Sequence, residues 1–238
     1  MHFRNTLSCF CLLVLLASCS EREFAERPEY RFKKRILVDA SHDGGAWWFP
    51  QTGPYEPKIN HQGTVVAAYL RSLGQEVDEL DAYATITDSL LEQYSGVIRA
   101  GSFGSYSSSA LSAYDHFLDR GGSLMLIGEY MRPGEQDMLA EHIGIRFEGW
   151  HYGRLDSFAV HPLTAGATSF YYNAGSVIGN TSTNPNIEIL GWLDHDPNLP
   201  ALCMLHHPTA KIICTGDING LEGLPQPLSA SIYDWLFR

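Results

Sequence analysis

The chain is predicted to fold as an α/β domain around a mostly parallel sheet with helices on both faces. Three observations carry this. Short apolar runs recur at Ile36–Ala40, Gly96–Ala100 and Ser123–Gly128, the composition of strands buried on both faces. Between them lie segments with apolar residues at helical spacing, closed by glycines. Strands alternating with helices of this length favour right-handed crossovers and a three-layer arrangement.

Ahead of this domain the first 18 residues, MHFRNTLSCFCLLVLLAS, read as a secretory leader. Arg4 is its lone basic residue, and the apolar stretch Leu7–Leu16 is shorter than the about 20 residues a spanning helix needs. Leu16-Ala17-Ser18-Cys19 resembles a bacterial lipobox. The resemblance implies cleavage before Cys19, a lipid on Cys19 and a place in the bacterial cell envelope, facing the periplasm or the surface. Ser20 after the lipidated residue points to the outer membrane, by the sorting pattern of enteric bacteria.

Processing changes the charge. The full chain has 16 Lys+Arg and 27 Asp+Glu; losing Arg4 leaves 15 against 27, a net of −12. Residues 19–35 read as a tether: Ser20–Arg35 holds six basic residues and four Glu, net +2, with few large apolar residues. Its cluster Arg31-Phe32-Lys33-Lys34-Arg35 either touches anionic headgroups, at up to about 1 kcal/mol per basic residue, or solubilises the chain. The body, 36–238, carries nine basic and 23 acidic residues, net −14. An acidic body repels phosphates, so nucleic acid is not an expected partner. At 45% apolar residues the chain is too hydrophobic for disorder and long enough for one full core.

In the body, Ile36–Ala40 is the first strand, followed by a Gly/Pro-rich aromatic loop, Ser41–Ile59. Asn60 is an expected N-cap for a helix presenting Val65, Val66, Tyr69, Leu70 and Leu73 on one face and closed by Gly74. Glu76–Leu80 and Gly96–Ala100 are strands. Ser107 or Ser108 caps a helix through Leu111, Tyr114, Phe117 and Leu118, ended by Gly121-Gly122. Ser123–Gly128 is the central strand, and Gln136–Ile143 a short helix stopped by Gly144. The aromatic, Gly/Ser/Thr-rich stretch Gly149–Thr183 reads as loops and short strands. Ile187–Leu193, Ala201–His206 and Lys211–Thr215 are strands, the last two a hairpin turning at His207–Ala210. They are expected to add an antiparallel edge. Leu228–Phe237 is the final helix.

These landmarks resemble the glutamine-amidotransferase-like superfamily, in its group of extracytoplasmic, trehalose-utilisation-type domains. They are Ile36-Leu37-Val38-Asp39 with His42, Phe117-Leu118-Asp119-Arg120-Gly121-Gly122 running into Ser123–Gly128, His161-Pro162-Leu163-Thr164-Ala165-Gly166, and Ile212-Ile213-Cys214-Thr215-Gly216-Asp217. The resemblance covers most of residues 36–238 and implies a flavodoxin-like sheet. It departs where amidotransferases carry a nucleophilic Cys on the turn after a central strand: here the turn is Gly128-Glu129-Tyr130. Cys203 and Cys214 lie inside apolar runs, where Cys behaves as a small hydrophobe. A thiolate mechanism needs an accessible, electropositive Cys, so glutamine hydrolysis is not expected.

Ligands of open α/β sheets collect outside the strand carboxyl ends. Three loops leave those ends. Ser41–Ile59 offers His42, Asp43, Trp47, Trp48 and Gln51, Gly101–Ser107 offers Ser102, and Glu129–Gly134 offers Glu129. Aromatic faces beside carboxylate and amide groups suit sugar rings, although Trp47, Trp48 and Phe49 equally form a packed cluster over the sheet. Asp39, His42, Glu129 and Asp217 are the candidate catalytic set, as acid and base if the strands bring them together; the carboxylates equally cap loop amides. No tight ligand spacing points to a metal, no G-x-S-x-G elbow to a serine hydrolase, and no cofactor is implied. Cys203 and Cys214 are equidistant from the Pro208/Thr209 point, so a bridge and two buried thiols are both open. The function expected is a membrane-anchored lipoprotein binding a small polar ligand or glycan. A carbohydrate-active enzyme with carboxylate/His or metal chemistry, and a structural partner in an envelope assembly, are the alternatives.

Overall fold

The computed structural model describes residues 35–39, 41, 64–80, 84–101, 105–217 and 227–238. In chain order its elements are β1 (Arg35–Asp39), α1 (Thr64–Ser72), β2 (Glu76–Glu79), α2 (Asp88–Leu91), β3 (Gly96–Ala100), α3 (Ser108–Asp119), β4 (Ser123–Ile127) and α4 (Met138–Ile143). Then follow β5 (Phe147–Phe158), a 3-10 turn (Pro162–Thr164), β6 (Phe170–Ile178), β7 (Ile187–Leu193), β8 (Pro200–His206), β9 (Lys211–Thr215) and α5 (Pro227–Phe237).

The strands form one nine-stranded mixed sheet in the order β2-β1-β3-β4-β9-β8-β7-β5-β6. β2, β1, β3, β4 and β9 pair in parallel; β9, β8, β7, β5 and β6 pair antiparallel. The fold is therefore α/β, but the antiparallel part is half of the ladders where the sequence pattern had indicated an edge. The difference lies in Gly149–Thr183, expected as loops and short strands and found to hold the long strands β5 and β6. Their alternation is broken by register shifts between Glu148 and His151 and between His151 and Tyr152, and by a positive φ at Ala174. Each bulge turns two consecutive residues to one side and erases the period of two on which a strand is recognised.

Elsewhere local chemistry accounts for the elements. In α3 the side chain of Ser107 accepts from the Ala110 amide at 3.2 Å, and Ala110, Ala113, Tyr114, Phe117 and Leu118 are all buried, an i, i+3, i+4, i+7, i+8 stripe. Gly121, at φ +90°, and Gly122 end it; a Cβ on Gly122 would lie 2.4 Å from the Phe117 ring. The α2 helix went unrecognised because four residues carry no periodicity; Thr87 caps it.

Two apolar clusters hold the sheet. Alternate residues of each strand point to opposite sides, and one cluster joins Ile36, Val38, Ile98, Met125 and Ile213 to Val66 and Leu70 of α1 and Leu228, Ile232 and Leu236 of α5. The other joins Leu37, Val97, Leu124, Leu126 and Ile212 to α2, α3 and α4. The β8–β9 hairpin turns where expected. The ring Nδ1 of His207 accepts from the Ala210 amide at 3.2 Å, and the Thr209 hydroxyl donates to the Leu118 carbonyl at 2.9 Å, fastening the turn to the end of α3.

Candidate functional site

The parallel strands deliver polar residues to their carboxyl ends, and among the described residues these form two buried groups and an open cleft. The first buried group lies where chain connections diverge, between β1 and β3. Asp39 ends β1 and is in register with Arg99 of β3; both are fully buried. One oxygen of Asp39 accepts from the Ser41 amide at 3.2 Å and the Ser41 hydroxyl at 2.5 Å. The other accepts from Tyr106 at 2.8 Å and Tyr114 at 2.5 Å. Arg99 donates to Asp137 and to the carbonyl of Gly101. Asp137 in turn caps α4, accepting from the Ala140 amide at 3.1 Å. Burial disfavours the Arg99 cation, and the adjacent Asp137 carboxylate more than compensates, so the guanidinium stays charged.

Burial, with the Asp39 carboxylate beside them, pushes the Tyr106 and Tyr114 hydroxyls well above their ordinary value of 10.0. Burial also raises Tyr172 and Tyr233. The sign follows from linkage: the folded state keeps these protons at a pH where the unfolded chain has released them. Their contribution to stability is thus complete below pH 10 and lost as pH rises beyond it. In an alkaline titration, tyrosinate absorbance from these four is expected to appear only together with unfolding. A stepwise rise while circular dichroism stays native would contradict their burial.

The second group surrounds Tyr172, fully buried on β6. Asp217, just past β9, accepts the Asn173 amide at 2.5 Å. Asp217 and Glu129 both act on the Tyr172 hydroxyl electrostatically, after burial itself the causes of its raised pKa. A Cβ on Gly175 would lie 2.4 Å from the Cβ of Asp217, so glycine there is required for the carboxylate to reach the kinked strand. Glu129 is 5% exposed, and its Oε1 accepts the Tyr130 amide at 3.1 Å.

The candidate catalytic set is therefore not one constellation. Asp39 and Asp217 follow β1 and β9, which are separated by two strands, about 14 Å at ordinary strand spacing. Asp39 and Glu129 each accept a backbone amide within two residues, the work of loop caps, and Asp217 accepts the amide of Asn173 within β6. His42, Asp43, Trp47, Trp48, Gln51 and Ser102 lie outside the described residues, as does His61. Among the described residues no group of three His, Cys, Asp or Glu side chains converges as metal ligands would. His161 gains a role: its ring accepts the Leu163 amide at 3.1 Å and starts the 3-10 turn.

The open feature is a cleft of about 450 Å³ formed by the loop after β4, the start of β5 and the Glu141 side of α4, within the usual size of ligand sites. The Arg132-Pro133-Gly134-Glu135 turn makes one wall. Pro133 precedes Gly134 at φ +85°, the Glu135 amide donates to the Arg132 carbonyl at 3.0 Å, and the Glu135 carboxylate accepts the Arg132 amide at 2.8 Å. The Arg132 guanidinium sits 5.6 Å from the Tyr130 ring centroid. Opposite it are Arg146, paired with Glu148 at 2.5 Å, and Trp150, 51% exposed. The Met131 amide donates to the Gly149 carbonyl at 2.8 Å and ties the two walls together.

Further exposed aromatics lie on the β5–β6 hairpin. Tyr152 lies opposite Asn173 and Arg154 opposite Tyr171, and directly paired residues share a face. Tyr152 and Tyr171 are 61% and 58% exposed. Three of the five exposed large apolar side chains among the described residues are thus on β5 and β6. These aromatics, Arg99 and Asp137 were not among the candidates read from sequence. The signals present were an Arg inside an otherwise apolar strand and the Trp-x-Tyr-x-Arg alternation at 150–154.

No protein-family model and no curated protein matches the chain. Solved structures do. The N-terminal domain of mmIFT52 superposes with a TM-score of 0.63 at 16% identity, over 85% of this chain and 95% of that one. A ThuA-like protein from Bacteroides uniformis gives 0.55 at 15% identity, over 85% and 90%. A cytoplasmic protein from Salmonella typhimurium gives 0.51 at 14% identity, over 85% and 98%. At such identities the likeness establishes the fold alone, an α/β fold shared with these three proteins.

Proposed function

We propose that the protein is an extracytoplasmic lipoprotein, anchored through a lipid on Cys19 and tethered by residues 19–35, whose α/β domain binds a small polar ligand or glycan. The domain lacks the amidotransferase nucleophile, and its parallel half is read as a three-layer flavodoxin-like unit. The ligand lies at the carboxyl end of β4. One observation carries the reading: the cleft there combines the half-exposed indole of Trp150 with Arg132, Glu135, Arg146 and Glu148. Sugar rings present apolar C–H faces and a rim of hydroxyls, and an aromatic plane flanked by charged donors and acceptors answers both. Tyr152 and Tyr171 add exposed aromatic surface on β5 and β6. Cys203 and Cys214 are fully buried, and burial pushes the Cys214 thiol up, opposite to what a thiolate nucleophile needs.

The test is a binding screen of the full chain against neutral and amino-sugar oligosaccharides, repeated with Trp150→Ala. Losing one stacking plane is expected to weaken binding about 5–10-fold while stability stays within about 0.5 kcal/mol, as for an exposed site. A variant that binds every hit as tightly as the parent removes Trp150 from the site. For the anchor, fatty-acid labelling of cells is expected to mark the parent and not Cys19→Ser; label on both would place the lipid elsewhere.

A further inference from the structure

Cys203 and Cys214 occupy the junction of the two halves of the sheet, on β8 and β9, the latter parallel to β4 and antiparallel to β8. They are Cα partners in direct register, so their side chains leave the same face side by side. The kind of pair can be read from the ladder. The Gly216 amide donates to the Ala201 carbonyl at 3.2 Å, two steps along the same register. Hydrogen-bonded and non-hydrogen-bonded pairs alternate, so the cysteines are a hydrogen-bonded pair with Cα atoms about 5.5 Å apart. That lies inside the range of about 4.4–6.8 Å found for disulfides, and closure has to draw the Cβ atoms together from the about 5 Å of an open cross-strand pair to about 4 Å. Both side chains are fully buried among Leu126, Leu205 and Ile212. They are free thiols here, and the Cys214 thiol, raised by burial, also contacts that of Cys203.

We infer that Cys203 and Cys214 are a redox modification site, built to close a disulfide across β8 and β9 in the exported chain. The co-reactant is a disulfide oxidant, either a thiol–disulfide oxidoreductase or a small-molecule disulfide. One cysteine thiolate attacks the oxidant's disulfide and releases one of its thiols. The second cysteine displaces the other thiol from the mixed disulfide, so two protons and two electrons pass to the oxidant. Closure occurs during folding, before the hairpin is covered by α3 and α4. Only the supply of oxidant rests on the extracytoplasmic location proposed above; the register does not.

The test separates the two. The full chain is extracted from membranes into denaturant with an alkylating agent and no reductant. In parallel, it is synthesised without membranes under reducing conditions, unfolded, and refolded in the presence of oxidised glutathione. Peptides carrying residues 203 and 214 are expected to be linked in both samples. Reductant is expected to lower Tm by about 5–10 °C in the parent and to leave Cys203→Ala/Cys214→Ala unchanged. Linkage by glutathione alone upholds the pair and assigns the failure to the location. Alkylation of both thiols in both samples overturns it, as does a Tm of the double variant that responds to reductant like the parent.

Discussion

Replacing Asp137 by alanine is expected to cost about 3–5 kcal/mol of folding free energy, seen as a large fall in the urea midpoint with the slope unchanged. Arg99 sits in β3 with no exposed surface, in register with Asp39 on one side and Leu126 on the other. Its charge is held by the Asp137 carboxylate and the Gly101 carbonyl. Without Asp137 the guanidinium loses the carboxylate it is bonded to in a place water does not reach, and α4 loses its N-cap, a further cost of about 1 kcal/mol. The paired change Arg99→Met/Asp137→Asn removes both charges at similar volume and keeps an N-cap former at α4. It is expected to be less damaging than Asp137→Ala alone, because a buried pair costs nearly as much to desolvate as it returns. Should Asp137→Ala lose under 1 kcal/mol, Arg99 must reach solvent and the buried network is misdescribed.

Asp39→Ala is expected to cost about 2–5 kcal/mol. The carboxylate is the common acceptor for Tyr106, Tyr114 and Ser41, all buried, and each stranded donor is worth about 1–3 kcal/mol. Asp39→Asn keeps an acceptor oxygen and is expected to lose less than half as much. Tyr114→Phe, which removes one donor and leaves Asp39 its other partners, is expected near 1–2 kcal/mol. The series discriminates between the roles Asp39 has been given. A capping carboxylate makes stability follow the order Asp, Asn, Ala, with glycan binding tracking only the folded fraction. A catalytic carboxylate would abolish turnover in Asp39→Asn at near-parental stability, and that outcome would displace the capping account.

The network also explains why much of the site was not legible in the chain. Arg99 stands in Gly-Val-Ile-Arg-Ala, and the apolar neighbours suffice to predict a strand; what neutralises the charge is 38 residues away. Asp137 falls inside the helix expected over Gln136–Ile143; it caps α4 instead, and nothing nearby announces its second bond. Asp39 and Asp217 each end an apolar run, so both were placed at strand carboxyl ends. Whether they meet depends on strand order, and β3 and β4 lie between them. Trp150 and Tyr152 fall in a stretch whose sequence indicates only loops and short strands, because two register shifts erase the period of two over the residues that expose them.

Local pattern was enough for the parallel strands, α1, α3, α5 and the β8–β9 hairpin, because burial on both faces, an apolar stripe and a turn are decided by residues within one or two turns of chain. The same local arithmetic set Cys203 opposite Cys214. Tertiary structure alone decided that four antiparallel ladders follow the parallel ones, that the strand-end carboxylates serve as buried acceptors, and that the aromatic cleft opens beside β5. Those outcomes turn on which strand neighbours which and on where a bulge shifts the register. Both are long-range choices, made by the fit of whole faces and invisible to residue spacing.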